Sequence, residues 1–121
     1  MKHILIAEDE PLIASFLVKG LERNGYKTAI AINGEQTLLM MQNNPFDLLL
    51  LDIGLPDQDG WTVLKKLHNQ GKKIPVIIVT ANDDIDNCRI INISQINDYF
   101  VKPFRFYDLL QRIQLILTNN K

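Results

Sequence analysis

Glu8-Asp9, Asp52, Thr80 and Lys102 each follow directly on a short apolar run: Ile4-Leu5-Ile6-Ala7, Leu48-Leu49-Leu50-Leu51, Val76-Ile77-Ile78-Val79 and Tyr99-Phe100-Val101 respectively. Taken singly, every one of them has an ordinary explanation. Glu8-Asp9-Glu10 suits the positive end of a following helix. Asp52 suits a loop, Thr80 a strand-end turn, and Lys102 a solvated surface. Taken together, three carboxylates, a hydroxyl and an ammonium arriving from four strand ends make a site. The charges say what that site needs. Two like charges about 4 Å apart repel by roughly 4 kcal/mol at protein-like dielectric, so clustered carboxylates need relief. A hard divalent cation supplies it, and oxygen-only ligands select Mg²⁺, which keeps several waters and bonds one or two carboxylates. With the cation seated, one carboxylate can act as a nucleophile toward a phosphoryl group. Lys102 and the Thr80 hydroxyl would then hold phosphoryl oxygens, because phosphoryl transfer is mostly positioning and charge neutralisation.

The runs themselves predict the scaffold. The first three do not alternate with polar residues, so each reads as a strand buried on both faces of a parallel sheet. Thr28 to Ile32 and Tyr99-Phe100-Val101 are weaker and fit sheet edges. Between them the period becomes helical. Ile13, Phe16, Leu17 and Leu21 fall on one face, with Pro11 suited to the first turn and Gly25 to the stop. Asn33 can cap a second helix carrying Leu38, Leu39 and Met41, which Pro45 ends. Gly60 precedes a third, with Val63, Leu64 and Leu67 inward and Lys65 and Lys66 facing water. The last helix carries the stripe Phe106, Leu109, Leu110, Ile113, Ile116 and Leu117. A βα unit repeated five times implies an open, doubly wound α/β sheet of five parallel strands, with helices on both faces. The fourth helix, between Asn82 and Asn97, is expected from topology alone. Ile85, Ile90, Ile91, Ile93 and Ile96 form no single stripe there, and asparagines and β-branched residues are poor helix formers. In such sheets ligands bind beyond the carboxyl ends of the strands, where the winding reverses. That is where the candidate site lies.

Composition narrows the function classes. The 121 residues carry 13 Lys+Arg against 14 Asp+Glu, a formal net charge of −1 that argues against nucleic-acid or membrane binding through bulk charge. Hydrophobic residues at 46% and charged residues at 22% are globular values, so a single domain spanning 1–121 is expected. Cys88 is the one cysteine, which excludes an intramolecular disulfide and a cysteine-based zinc site. Four apolar residues near the start are too few for a signal-peptide core, and no run reaches eighteen, so a soluble, cytoplasmic chain is expected. Met40 and Met41 read as core filling, Cys88 as a structural thiol, and His3 and His68 as residues outside the site. Trp61 reads as a cover for the start of its helix.

Four blocks in order then carry a resemblance over essentially the whole chain. They are Ile4-Leu5-Ile6-Ala7-Glu8-Asp9-Glu10, Asp52-Ile53-Gly54-Leu55-Pro56-Asp57-Gln58-Asp59-Gly60, Val79-Thr80-Ala81 and Asp98-Tyr99-Phe100-Val101-Lys102-Pro103-Phe104. The chain resembles response regulator receiver domains of two-component signalling. The resemblance implies a flavodoxin-like strand order 2-1-3-4-5 and a phosphoacceptor at Asp52, charged by the phosphohistidine of a sensor histidine kinase or phosphotransfer protein. It implies Mg²⁺ bound directly by Asp9 and Asp52, with the Gly54 backbone carbonyl as a third ligand and Glu8 acting through water. Lys102 and Thr80 would contact the phosphoryl oxygens, and Ala81 would let its backbone N–H approach them. Lys102-Pro103 would be a cis peptide, which proline makes accessible. Thr80 and Tyr99 would form a coupled switch.

The resemblance also implies a signalling switch and not a turnover enzyme, its chemistry limited to its own phosphoryl transfer and self-dephosphorylation. A haloacid-dehalogenase-type phosphatase needs a second acid two residues after the nucleophile, where Gly54 stands. A flavodoxin-like cofactor site needs a phosphate-cradling loop after the first strand, where Glu8-Asp9-Glu10 would repel a phosphate. A degenerate scaffold would not keep all five site residues. Output is expected through a downstream protein or a covalently linked output domain, by a change of face between the fourth and fifth helices. Asp98, Arg105, Asp108 and Arg112 lie on that face, and Asp98, Asp108 and Arg112 resemble positions that DNA-binding regulators use for two-fold dimers. The family's small Gly-Ala pair is replaced by Gln95-Ile96, and Asn92 stands where an apolar residue is typical. A homodimer and a heterologous partner are both open, and exposed isoleucines there would form an apolar patch of the kind that marks an interface.

Overall fold

The computed structural model describes residues 1–80 and 97–119. The chain alternates β1 (His3–Ala7), α1 (Pro11–Arg23), β2 (Lys27–Ala31), α2 (Gly34–Asn43), β3 (Leu48–Asp52), α3 (Gly60–Asn69), β4 (Val76–Thr80), β5 (Asp98–Val101) and α4 (Phe106–Asn119). The expected helix between Asn82 and Asn97 lies outside the described residues, as do Ala81, Cys88 and the five isoleucines. α4 is therefore the C-terminal helix expected from the Phe106–Leu117 stripe.

All pairings are parallel and the strand order is β2-β1-β3-β4-β5, as the resemblance implies. β1, β3 and β4 lie inside the sheet, and the weaker segments form its edges. Every residue of β3 and β4 is buried, as expected for strands covered on both faces. Side-chain alternation divides the core into two layers. Leu5, Ala7, Leu49, Leu51, Val76 and Ile78 pack with α2 and α3, through Met41, Val63, Leu64 and Leu67. Ile4, Ile6, Leu48, Leu50 and Ile77 pack with α1 and α4, through Leu17, Leu21, Leu109, Ile113 and Leu117. Among the described residues no helix is long and apolar enough to cross a membrane.

Local signals fix the helix ends. α1 stops at a left-handed Gly25 (φ 88°), where the Gly25 and Tyr26 amides close back on Glu22 and Leu21. The Asn33 side chain accepts from the Gln36 N–H at 2.8 Å, and Asp59 caps α3 by accepting from the Thr62 N–H at 2.7 Å.

Two apolar faces differ from the sequence reading. On α1 the buried residues are Ala14, Leu17 and Leu21, while Phe16 is 54% exposed, its ring set edge-on to Phe106. On α2, Thr37 and Met41 are buried and Leu39 is exposed. Thr37 tolerates burial because its hydroxyl donates to the Asn33 carbonyl at 2.8 Å. Met40 packs partly against the Met41 layer, in keeping with core filling. His3 sits within β1 against Phe46, and His68 is exposed on α3.

Candidate functional site

Parallel register brings the carboxyl ends of four strands to one rim. Ala7 pairs with Leu51, Asp52 with Val79, and Thr80 with Val101. Glu8 is drawn in after β1 by its N–H bond to the Ala31 carbonyl at 2.9 Å, and Lys102 by its N–H bond to the Thr80 carbonyl at 2.8 Å. The Lys102–Pro103 peptide is cis.

The side chains converge. Lys102 Nζ lies 3.0 Å from Glu8 Oε1 and 3.2 Å from Asp52 Oδ2. Glu8 is 2% exposed and Asp52 6%, whereas Asp9 is exposed on the rim. The remaining oxygens are also engaged: Glu8 Oε2 accepts from the Glu10 N–H at 3.2 Å, and Asp52 Oδ1 from the Gly54 N–H at 2.9 Å. Burial pushes the Glu8 carboxyl up to about 7; the Asp52 charge adds to that rise and the Lys102 hydrogen bond opposes it. Burial works against the Lys102 ammonium, but the hydrogen bond to Glu8 and the charges of Asp52 and Glu8 outweigh it and hold its pKa above the ordinary lysine value.

The arrangement fits a hard cation. Glu8, Asp9 and Asp52 each offer one oxygen, and these atoms lie within 4.8 Å of one another. Opposite ligands of Mg²⁺ stand about 4.2 Å apart and adjacent ones about 3 Å, so the cluster has the size for an ion held by some of these oxygens directly and by others through water. Lys102 holds the inner side of the cluster and Asp9 its solvent side.

Of the expected site residues, Glu8, Asp9, Asp52, Thr80 and Lys102 do come to one rim, with Thr80 wholly buried at the end of β4. Gly54 is exposed in the following loop; a Cβ there would stand 3.7 Å from Asp52 Oδ1, an ordinary contact. Tyr99 is 44% exposed. Trp61 packs partly against the α2–α3 layer rather than merely covering its helix start. Gly60 is where glycine is required, because a Cβ would meet Ile53 Cα at 2.8 Å and the Asp52 carbonyl at 2.9 Å. Asp98 and Arg112 of the expected interaction face are paired with each other within the chain.

Sequence reasoning missed Asp57. Its carboxylate accepts from the Gly34 N–H at 2.7 Å and the Glu35 N–H at 3.0 Å, capping α2 from the loop after β3. No local pattern announces a cap that lies 22 and 23 residues away.

A doubly wound sheet with this acid cluster and lysine at its carboxyl rim can hold a hard cation and meet phosphoryl oxygens with an ammonium. Residues 4–114 match the model of the response regulator receiver domain, and the chain belongs to that family. The transcriptional regulatory protein PcoR of Escherichia coli is 35% identical over 118 residues, covering 97% of this chain and 52% of PcoR. The Francisella response regulator 1452 receiver domain superposes with a TM-score of 0.92 at 32% identity, with all of both chains covered. The response regulator TrrA of Thermotoga maritima, solved in complex with Mg²⁺–BeF, superposes at 0.83 with 30% identity over 96% of this chain and 99% of that one. The chain spans about half the length of the curated relatives it matches.

Proposed function

We propose that Asp52 is the phosphoacceptor of this receiver domain. The observation that carries this reading is the joint placement of Lys102 against Glu8 and Asp52, with Asp9 completing an oxygen cluster on the rim. Asp9, Asp52 and the Gly54 carbonyl would hold Mg²⁺ directly, and Glu8 would act on it through water. When bound, the ion supplies the positive charge that three carboxylates and incoming phosphoryl oxygens require.

The chain's own residues do the rest. An Asp52 carboxylate oxygen attacks the phosphorus of a phosphohistidine; the P–O bond forms as the P–N bond breaks, and its electron pair stays on the imidazole nitrogen. The Gly54 N–H, donating to Asp52 Oδ1, directs the other oxygen, Oδ2, toward Lys102. Lys102 exchanges its carboxylate partners for phosphoryl oxygens, and Thr80 and the Ala81 N–H contact them. Movement of Thr80 lets the exposed Tyr99 ring turn inward, reshaping the face that bears Asp98, Arg105, Asp108 and Arg112. The donor is a sensor histidine kinase or phosphotransfer protein, and the output a downstream protein, a linked output domain or a dimer through that face. Residues 1–121 act as one cytoplasmic domain that switches and does not turn over a substrate.

Intact-mass measurement with a small-molecule phosphodonor and Mg²⁺ tests the assignment. Wild type should gain one phosphoryl group and Asp52→Asn none. An equal adduct on the asparagine variant would refute it.

A further inference from the structure

Asp57 stands in the seven-residue loop that links the end of β3 to α3 and contains Gly54. The loop is fixed at its base by the Gly60 N–H bond to the Ile53 carbonyl at 2.8 Å, and Leu55 is buried in the core. Its tip is tied elsewhere. Asp57 Oδ1 accepts from the Gly34 N–H, Oδ2 from the Glu35 N–H, and Oδ1 again from the Gln58 N–H at 2.9 Å.

The tie is built from both sides. A Cβ on Gly34 would strike the Gln58 side chain and lie 2.9 Å from Val63 Cγ2, so the start of α2 presses against this loop. Gln58 is held in turn by Lys66 Nζ, 3.0 Å from its Oε1. The first three helix amides of α2 are shared between two caps: Gly34 and Glu35 go to Asp57, Gln36 to Asn33. Asn33 alone would serve an ordinary helix start. The second cap adds a connection between α2 and the loop that carries Gly54.

We infer that Asp57 is a positioning residue for the metal site, tying the Gly54 loop to the start of α2. This rests on the proposed Mg²⁺ role of Gly54. Holding the loop tip reduces the conformations that the Gly54 backbone must surrender when it becomes a ligand. Coupling is reciprocal, so occupation of the rim should steady the α2 amides that Asp57 accepts from.

The test measures Mg²⁺ affinity by titration, and amide hydrogen exchange with and without Mg²⁺, in wild type, Asp57→Ala and Asp57→Asn. Asp57→Ala should weaken Mg²⁺ binding about fivefold, about 1 kcal/mol. Mg²⁺ should slow exchange at Gly34 and Glu35 in wild type but not in Asp57→Ala, leaving Gln36 unchanged in both. Asp57→Asn, which keeps an acceptor oxygen, should stay nearer wild type. Equal affinity in wild type and Asp57→Ala would overturn the inference while sparing the metal reading. A fall in Asp57→Asn as large as in Asp57→Ala, with the Gly34 amide still protected by the remaining oxygen, would also overturn it, because charge and not the tie would then carry the effect. Absence of saturable Mg²⁺ binding in wild type would instead sink the metal reading and this inference with it.

Discussion

Glu8 offers the most quantitative test of the site's electrostatics. Its carboxyl is pushed up to about 7 in the fold from an ordinary 4.5, because it is buried beside the Asp52 charge and only partly relieved by Lys102. A raised carboxyl makes the folded state the better proton acceptor between those values. Its stabilising contribution is complete below pH 4.5 and is lost as pH rises through about 7. At about 1.4 kcal/mol per pH unit, the interval corresponds to about 3 kcal/mol, or about 10 °C in Tm for a chain of this length. Glu8→Gln removes the titrating group yet keeps an oxygen to accept from Lys102. Urea melts in a chelating buffer from pH 5 to 8 should therefore show the variant gaining about 2.5 kcal/mol on wild type across the series, the rest of the interval lying below pH 5. Millimolar Mg²⁺ should flatten the wild-type slope, since a cation beside the carboxylate favours its charged form. Parallel stability curves for the two proteins without metal would refute the reasoning.

The contacts of Lys102 and Gly60 set two further outcomes. Lys102→Met should bind Mg²⁺ severalfold more tightly in titration calorimetry, because the ammonium competes for Glu8 and Asp52; it should also lower metal-free stability by about 3 kcal/mol, since two buried carboxylates lose their partner. Gly60→Ala should cost about 2 kcal/mol in denaturant melts, because its Cβ meets backbone atoms of Ile53 and Asp52 that have little room to yield.

The inner strands were legible because their residues are apolar on both sides, so neither period nor register had to be known to find them. The helix faces were less so. Phe16 has the right chemistry and spacing for a core position, but it stays half exposed, its ring set edge-on to Phe106. Thr37 has the wrong chemistry and is buried all the same, because a carbonyl four residues back satisfies its hydroxyl. The site residues were visible one strand end at a time. What the sequence could not show is which acids hold Lys102, a choice between groups 50 and 94 residues away that only the sheet order settles. Asp57 was hidden for the same reason: its partners belong to a helix two elements earlier.

The four leucines of β3 have a consequence for how the sheet finds its alignment. A uniform run offers the same side chain to both layers, so sliding it by one residue costs little in hydrophobic contact. Its ends are not uniform. At one end the Asp47 N–H donates to the His3 carbonyl at 2.7 Å, and the Asp47 side chain accepts from the His3 N–H at 2.8 Å. At the other end stands Asp52, whose carboxylate would enter a dry layer between sheet and helix if the strand slid, away from Lys102. The two aspartates thus act as stops on an otherwise featureless rail. The acid that carries the chemistry is also one of the marks by which the chain measures its own alignment.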